Sequence, residues 1–181
     1  MMLYLATIRA GYVFLPLNTA YQSAEIEYFI GNAEPSVVVC SPKNFGWVSK
    51  IAFTGTASWA GAVSVYTLND DRSGSLLDRA AHCSDSHEIH TSRADDLAAI
   101  LYTSGTTGRS KGAMLTHGNL GSNAEVLKKF WGWKKGDVLI HALPIFHVHG
   151  LFVAIHGALI NGSKMIWLAK FDPKFVIAKM P

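Results

Sequence analysis

Eleven residues near the middle of the chain, Tyr102–Gly112, carry the residue types that bind phosphate groups. They read Y-T-S-G-T-T-G-R-S-K-G and combine hydroxyl side chains with three glycines and one lysine. Glycine lets the backbone turn at positive φ and approach a ligand closely, and consecutive N–H groups in such turns point at an anion. Hydroxyls and an ammonium group add further hydrogen-bond donors. This composition therefore suits a loop that holds a polyphosphate while charge moves on it.

Composition alone leaves a solvated turn about as good an interpretation as a phosphate loop. The dinucleotide motif G-x-G-x-x-G is absent, and the spacing differs from the G-x-x-x-x-G-K-[ST] of the P-loop. A serine hydrolase, with Ser104 as nucleophile and His117 or His147 as base, is a further alternative. No G-x-S-x-G elbow supports that alternative, and Ser104 lies among other hydroxyls.

The segments on either side of the loop have the patterns of regular elements. The apolar run before it predicts a strand over Asp95–Thr103, and His117–Trp131 after it has helical periodicity. The apolar residues that fall on one face of that helix are Leu120, Ala124, Leu127 and Trp131. We therefore expect the loop to lie between a strand and a helix, where backbone donors converge on an anion.

Strand and helix patterns alternate along the rest of the chain, which predicts a layered α/β fold with a parallel sheet. Helices are expected at Leu3–Ala10 (closed by Gly11), from Ser23 as N-cap, at Pro42–Phe53, around Leu76–Ala81, and from Asp172 as N-cap with Pro173 following. Strands are expected at Tyr12–Leu17, Ser36–Cys40, Ala62–Leu68, Asp137–Leu143 and Gly162–Leu168. The polar stretch Asn69–Ala94 is expected to be a surface connection.

A second stretch, Leu143–Leu151, also contains residue types that could take part in binding or catalysis. It reads L-P-I-F-H-V-H-G-L. His147 and His149, two residues apart on a strand, are candidate metal ligands; the alternative is an aromatic pocket wall with one useful histidine. A neutral imidazole can donate a hydrogen bond to a carboxylate. His149 and His156 are expected to be structural. A further group of possible ligands has irregular spacing and is not expected to hold a metal: His82, Cys83, Asp85, His87 and His90.

Composition narrows the class of protein further. The chain has 181 residues, 49% of them apolar, and a net charge of +3 without any block of like charge, so no nucleic-acid partner is expected. Cys40 and Cys83 lie far apart, as in proteins of a reducing compartment. No apolar run approaches the ~20 residues that span a bilayer. We expect a soluble intracellular protein, cytoplasmic, with the mitochondrial matrix as an alternative.

The string T-S-G-T-T-G-R-S-K-G-A-M-L is similar, nearly letter for letter, to the phosphate-loop signature of the adenylate-forming superfamily. Acyl-CoA synthetases, luciferases and peptide-synthetase adenylation domains belong to that superfamily, and the string is most similar to its malonyl-CoA synthetase branch. Ser110 stands where most members carry proline. Two other stretches also resemble family motifs: R-A-G-Y-V-F-L-P-L-N is similar to a structural motif early in the large domain, and L-P-I-F-H to a segment that lines the acyl tunnel.

The resemblance implies part of the large N-terminal domain of an adenylate-forming enzyme: a partial AMP-binding domain over residues 1–181, truncated at both ends, with the small C-terminal domain absent. It also implies a reaction in two steps. A carboxylate attacks the α-phosphate of ATP to give an acyl-adenylate and pyrophosphate, and the thiol of coenzyme A then takes the acyl group. Catalysis in this family depends on positioning and charge neutralisation more than on a protein nucleophile.

The site residues follow from the same resemblance. Lys111 and His147 would be the catalytic residues, with Lys111 on the β- and γ-phosphates and His147 beside the acyl carboxylate. Thr103 would lie near Mg²⁺. The residues implied for ATP are Thr103, Ser104, Gly105, Thr106, Thr107, Gly108 and Lys111. The residues implied for the acyl group are Phe146, His147 and Leu151, with Val148 as further pocket wall.

The favoured substrate is a small carboxylate, malonate or methylmalonate. The residues expected to bind its second carboxylate, and those expected for adenine, ribose and the magnesium glutamate, lie beyond Pro181. A medium- or long-chain fatty acyl-CoA ligase and a non-catalytic nucleotide-binding remnant are the alternatives. The chain alone is not expected to complete the reaction, and the sequence does not indicate an oligomeric state.

Overall fold

The computed structural model of the chain describes residues 1–55, 63–103 and 109–180. The chain forms two compact units. The larger unit consists of Met1–Asn18 together with Glu88–Pro181, and the smaller unit is Thr19–His87.

Helices and strands alternate through both units. The helices are α1 (Met2–Arg9), α2 (Ser23–Ala33), α3 (Phe45–Gly55), α4 (Ser75–Ala80), α5 (His117–Phe130), α6 (His156–Asn161) and α7 (Pro173–Lys179). The strands are β1 (Val37–Cys40), β2 (Ser64–Thr67), β3 (Leu97–Thr103), β4 (Lys111–Thr116), β5 (Val138–His141) and β6 (Lys164–Trp167). A 3₁₀ turn at Pro42–Asn44 precedes α3, and a π-helical segment at His149–Ile155 precedes α6.

The strands pair in twos within the described ranges. β1 is parallel to β2 in the smaller unit, β5 is parallel to β6 in the larger unit, and β3 is antiparallel to β4. Each parallel pair is joined through helical segments, as a parallel connection requires. The predicted α/β class is therefore confirmed.

Most of the predicted elements are confirmed to within a few residues. The agreement is closest at the start of α7, where Asp172 Oδ1 accepts hydrogen bonds from the N–H groups of Lys174 and Phe175, and Pro173 is the first helical residue. At α2 the predicted cap is wrong by one position. Ser23 is already helical, and Gln22 is the N-cap, because the Glu25 carboxylate accepts from the Gln22 N–H at 2.7 Å.

The predicted strand at Tyr12–Leu17 is wrong, because it is reduced to one isolated bridge. Phe14 exchanges hydrogen bonds with β3, from its N–H to Ala98 O and from Ile100 N–H to its own carbonyl. The Tyr12 N–H bonds back to helix α1, and Pro16 has no N–H to donate. The two positions that would continue the ladder, Tyr12 and Pro16, therefore have no N–H available for β3.

The helix predicted at His117–Trp131 is confirmed as α5, but a strand that the sequence patterns did not predict stands between it and the predicted phosphate loop. β3 and β4 form an antiparallel hairpin with Thr103 opposite Lys111, and α5 begins only at His117. The Thr116 hydroxyl and the Asn119 side chain cap α5 reciprocally. A strand advances about 3.4 Å per residue, so the six residues of β4 put the start of α5 on the order of 20 Å from the loop. The prediction that a helix N-terminus supports the loop is wrong.

The core of the larger unit lies between β3 and the helical segments that pack on it. Ala98 and Ala99 of β3 are 0% exposed and belong to the same buried cluster as residues of the π-helical segment. The other buried residues of this core are Tyr4, Leu120, Leu151, Phe152 and Ile155. The smaller unit has its own core, in which Ile30, Ala52 and Val63 are buried.

One hydrogen bond inside the larger unit joins two titratable side chains. The Tyr4 hydroxyl lies 2.7 Å from His156 Nε2, and the two rings are stacked. Burial raises the pKa of Tyr4 to about 12 and lowers the pKa of His156. At neutral pH the imidazole is therefore neutral, so that Tyr4 can donate and Nε2 accept. The structural role predicted for His156 is confirmed.

We expect the free energy of unfolding to fall as the pH is lowered through about 6.5, the ordinary pKa of histidine. Below that pH the His156 side chain is protonated in the unfolded chain but stays neutral in the folded one, and this difference favours unfolding. Above that pH the side chain is neutral in both states, so that it no longer affects the free energy of unfolding. Urea unfolding at a series of pH values measures this. In His156→Gln the decline should be weaker, and in the control His82→Gln, at an exposed position, it should be unchanged. Equal slopes in all three proteins would contradict the assignment.

Candidate functional site

The hairpin formed by β3 and β4 presents two of the predicted phosphate-binding residues side by side. Thr103 and Lys111 are directly opposite each other in the ladder, so their side chains project from the same face. Both residues are exposed, and the Thr103 hydroxyl donates a long hydrogen bond, 3.4 Å, to the Lys111 carbonyl. An ammonium and a hydroxyl therefore flank the entrance to the loop. Ser104, Gly105, Thr106, Thr107 and Gly108 lie outside the described residues.

The second predicted stretch forms a tight turn after β5. The Pro144 carbonyl accepts from the His147 N–H at 3.2 Å, and the His147 carbonyl accepts from the Leu151 N–H at 3.0 Å. The His147 side chain is exposed and lies against the half-buried ring of Phe146, with the ring centroids 4.9 Å apart. The turn thus presents an imidazole to solvent from a backbone that is hydrogen-bonded on both sides.

Gly150 makes this turn possible. A Cβ at Gly150 would collide with the Pro144 carbonyl oxygen and would lie 2.8 Å from the Pro144 carbonyl carbon and 3.3 Å from the Leu143 Cβ. The chain that leaves β5 therefore touches the backbone of the helical segment directly. No side chain larger than hydrogen fits this contact without a shift of the turn that carries His147.

The strand geometry on which the metal-ligand alternative for His147 and His149 depends is not formed, since His149 is the first residue of the π-helical segment. Such segments are rare in proteins and are frequent at functional sites. Leu151, predicted as pocket wall, is 1% exposed and packs in the core beneath this segment. In the structure Leu151 therefore anchors the segment from below, and its contact with an acyl group stays a prediction.

His141, at the end of β5, is a buried polar residue that the sequence patterns did not single out. It is 2% exposed, its ring meets Trp167 of β6 edge-to-face at 4.7 Å, and neither ring nitrogen has a hydrogen-bond partner among the described residues. Burial lowers the pKa of His141, an effect that the Leu143 backbone partly offsets. The ring is therefore neutral and lies two residues before the turn that leads to His147.

Two features of the sequence could have indicated His141 and Gly150, which the sequence patterns above did not single out. His141 occupies an inward position of an otherwise apolar strand, V-L-I-H, where an ionisable residue is unusual. Gly150 lies inside a helical pattern, where glycine is unfavourable unless packing requires it. Trp131 is the opposite case. It was expected on the buried face of α5 with Leu120 and Ala124, but it follows the last helical residue and is 51% exposed.

In the part of the chain that the structure describes, no group of three or more His, Cys, Asp or Glu side chains is arranged to hold a metal ion. The same residues include no helix that is both long enough and apolar enough to cross a membrane.

Comparison with known proteins gives the family of the chain. Residues 1–180 match the AMP-binding enzyme family. The chain belongs to this family. The mitochondrial malonate–CoA ligase of Bos taurus is 33% identical over 173 residues, which cover 94% of this chain and 28% of that protein.

Solved structures agree with this assignment. The crystal structure of ATP-bound MatB from Rhodopseudomonas palustris is 54% identical, with a TM-score of 0.89, over 97% of this chain and 34% of that one. A malonyl-CoA ligase in a ternary product complex with methylmalonyl-CoA and AMP is 26% identical, with a TM-score of 0.68, over 94% of this chain and 33% of that one. The chain therefore spans about a third of the length of the relatives it matches.

We expect Gly150→Ala to lower the free energy of unfolding by about 1–3 kcal/mol, the usual cost of overpacking a rigid contact. Gly121→Ala is the matched control: Gly121 lies in α5, and a Cβ there would meet nothing within 4 Å. That substitution should leave stability unchanged or raise it by up to about 1 kcal/mol, because alanine favours a helix. Urea unfolding of both variants checks the pair. Equal effects of the two substitutions would show that the contact with Pro144 is not tight.

Proposed function

We propose that the chain is part of an ATP-dependent acid–thiol ligase that activates malonate or methylmalonate as an acyl-adenylate and transfers the acyl group to coenzyme A. The observation that carries this proposal is the similarity to the bovine malonate–CoA ligase over nearly the whole chain. A relative in Arabidopsis thaliana, 30% identical, is also named a malonate–CoA ligase. The product complex with methylmalonyl-CoA and AMP supports the same class of carboxylate.

The hairpin residues fit a polyphosphate ligand. The exposed Lys111 ammonium would neutralise oxygens of the β- and γ-phosphates, and the Thr103 hydroxyl on the same face would donate to, or accept from, groups beside them. ATP supplies the adenylyl group that makes the carboxylate a good acyl donor. The protein's contribution is to hold the phosphates in one orientation while charge builds up on them. We propose the same contact role for the loop residues 104–108.

Magnesium fits this site only when it binds together with the nucleotide. Mg²⁺ usually keeps several waters and binds through one or two carboxylates plus substrate phosphates, so it does not need a cage of protein ligands. The described residues offer the Thr103 hydroxyl, whose oxygen is a suitable hard donor. We therefore propose that Thr103 lies beside a magnesium ion that is bound mainly through ATP.

His147 is the proposed contact for the acyl carboxylate. Its ring is exposed beside Phe146, at the end of a turn that Gly150 and two backbone hydrogen bonds hold in place. An imidazole N–H in this position can donate to a carboxylate oxygen and orient it. Relatives named malonate–CoA ligases in Bos taurus and Arabidopsis thaliana are 33% and 30% identical, so we favour the small carboxylate.

The remaining proposals concern the whole protein. Because the chain spans about a third of its relatives, we propose that residues outside it complete the adenine, ribose and thiol-transfer sites, and that this chain alone does not form acyl-CoA. The bovine relative is named as mitochondrial, which supports the mitochondrial alternative for location over the cytoplasm.

We expect ATP with magnesium to raise the melting temperature of the chain, because binding to the folded state alone stabilises it. Lys111→Ala should reduce the shift, and Lys174→Ala, which removes an exposed lysine from α7, should not. Differential scanning fluorimetry over a range of ATP concentrations measures this. A full shift in Lys111→Ala would contradict the phosphate contact of this lysine.

We expect a chimera in which this chain replaces the corresponding third of MatB to activate malonate in preference to octanoate. His147→Ala in that chimera should lower kcat/KM for malonate on the order of tenfold or more, since a positioned hydrogen-bond donor is lost. His149→Ala, another exposed histidine of the same stretch, is the control and should have little effect. ATP–pyrophosphate exchange gives the rates. Preference for octanoate would overturn the substrate class while leaving the ligase assignment intact.

A further inference from the structure

His141 is a buried ionisable residue in an otherwise apolar strand, and the function proposed above does not use it. It ends β5, V-L-I-H, and is 2% exposed. A neutral imidazole carries one N–H donor and one acceptor nitrogen, and among the described residues neither nitrogen of His141 has a hydrogen-bond partner. Leucine would fill this position without leaving buried polar atoms unpaired, so the presence of histidine calls for an explanation.

The burial of His141 does not depend on chain outside these 181 residues. Both ring nitrogens are already enclosed by the described residues. Further chain can cover an exposed surface of this unit, but it cannot reach enclosed atoms without displacing the residues packed around them. A hydrogen-bond partner for the ring therefore has to come from its present neighbours, after a small movement of one of them.

The neighbours of the ring differ in how firmly they are fixed. Trp167 of β6 is the register partner of His141 and meets its ring edge-to-face, with the centroids 4.7 Å apart. The His141 carbonyl accepts a hydrogen bond from the Leu168 N–H at 2.9 Å. The Leu143 backbone partly offsets the effect of burial on the pKa of His141, as a carbonyl oxygen close to a ring N–H does, but the hydrogen bond is not completed. The Leu143 carbonyl is therefore the available partner.

Leu143 leads directly into the turn that carries His147. The Leu143 Cβ lies 3.3 Å from the position that a Cβ on Gly150 would take, and the Pro144 carbonyl approaches Gly150 still more closely. The same Pro144 carbonyl accepts a hydrogen bond from the His147 N–H at 3.2 Å. One peptide unit and one hydrogen bond therefore pass a small displacement of the Leu143 backbone to His147.

We propose that His141 is a positioning residue, whose ring donates a hydrogen bond to the Leu143 carbonyl when His147 binds the acyl carboxylate and thereby fixes the turn during the reaction. The donor is unpaired in the free protein and paired in the reacting state, so the interaction favours the reacting state. His141 does not touch the substrate and acts through Leu143 and Pro144 on His147. This role rests on the proposed function, because it requires His147 to bind a carboxylate.

The test is a double-mutant cycle in the chimera with MatB described above, with malonate activation measured by ATP–pyrophosphate exchange. His141→Leu should lower kcat/KM by about tenfold, because one hydrogen bond and the alignment that it gives are lost. In the His147→Ala background the same substitution should lower kcat/KM by less than about twofold, because a residue that acts through His147 then has nothing left to position.

Two further measurements separate positioning from loss of structure. The melting temperature of the 181-residue chain should stay unchanged in His141→Leu or rise by up to about 6 °C, since two unpaired buried atoms are removed. His141→Asn and His141→Gln place an amide donor near the positions of Nδ1 and Nε2, respectively. One of these two variants should keep kcat/KM within about threefold of the native value.

Ser49→Ala is the matched control. Ser49 Oγ of α3 is another buried atom without a hydrogen-bond partner among the described residues, but it lies in the smaller unit. Its removal should leave the melting temperature unchanged or higher, as in His141→Leu. In the chimera it should leave kcat/KM for malonate unchanged.

Three results in an active chimera would overturn the proposal. The first is an unchanged kcat/KM in His141→Leu. The second is an equal loss from His141→Leu with and without His147. The third is a lower melting temperature together with a reduced kcat/KM that neither amide variant restores, because the ring would then only fill space.

Failure of the proposed function gives a different result. A native chimera that activates no carboxylate would refute the proposed function, and the role of His141 with it. A preference for octanoate would refute only the substrate class, and the cycle is then measured with octanoate.

Discussion

The shared apolar core of the larger unit is the constraint on which both halves of the candidate site depend. Ala98 and Ala99 of β3 belong to the same buried cluster as Leu151 and Phe152 of the π-helical segment, and all four are almost completely buried. The strand ends at Thr103, where the predicted phosphate loop begins, and the helical segment begins just after His147. Because protein interiors are dense and transmit displacement, a change in this core reaches both places.

The helical segment is in turn held by a backbone contact. Gly150 touches the Pro144 carbonyl, and the two hydrogen bonds of the His147 backbone close the turn. The chain thus leaves β5, reverses and enters the helical segment with little freedom between them. A rigid turn suits a residue that orients a substrate, since positioning within a fraction of an ångström decides the rate of such reactions. The backbone that carries the exposed imidazole is therefore held by the Gly150–Pro144 contact and by these two hydrogen bonds.

Much of this architecture could be predicted from the sequence, and the exceptions have physical reasons. The parallel strands, α5 and the Asp172 cap follow from local patterns that tertiary structure did not override. β4 could not be predicted from its local pattern. K-G-A-M-L-T becomes a strand through pairing with β3, and that partner lies on the far side of the loop. For the candidate site, Thr103, Lys111 and His147 were predicted from resemblance to a family motif, and their roles stay predictions. Their settings, and the requirement for Gly150, depend on contacts between segments that periodicity does not encode.

The histidines of the larger unit show that the same residue type can pack in the core or face solvent, and that burial separates the two cases. His141 and His156 have pKa values lowered by burial, and Tyr4 occupies Nε2 of His156, so both rings stay neutral and structural. His147 lies only a few residues from each of them along the chain but is exposed on the turn. A ring that must meet a substrate carboxylate has to keep a free edge and access to solvent. Among these three rings only His147 meets that condition, since His141 packs against Trp167 and His156 is held by Tyr4.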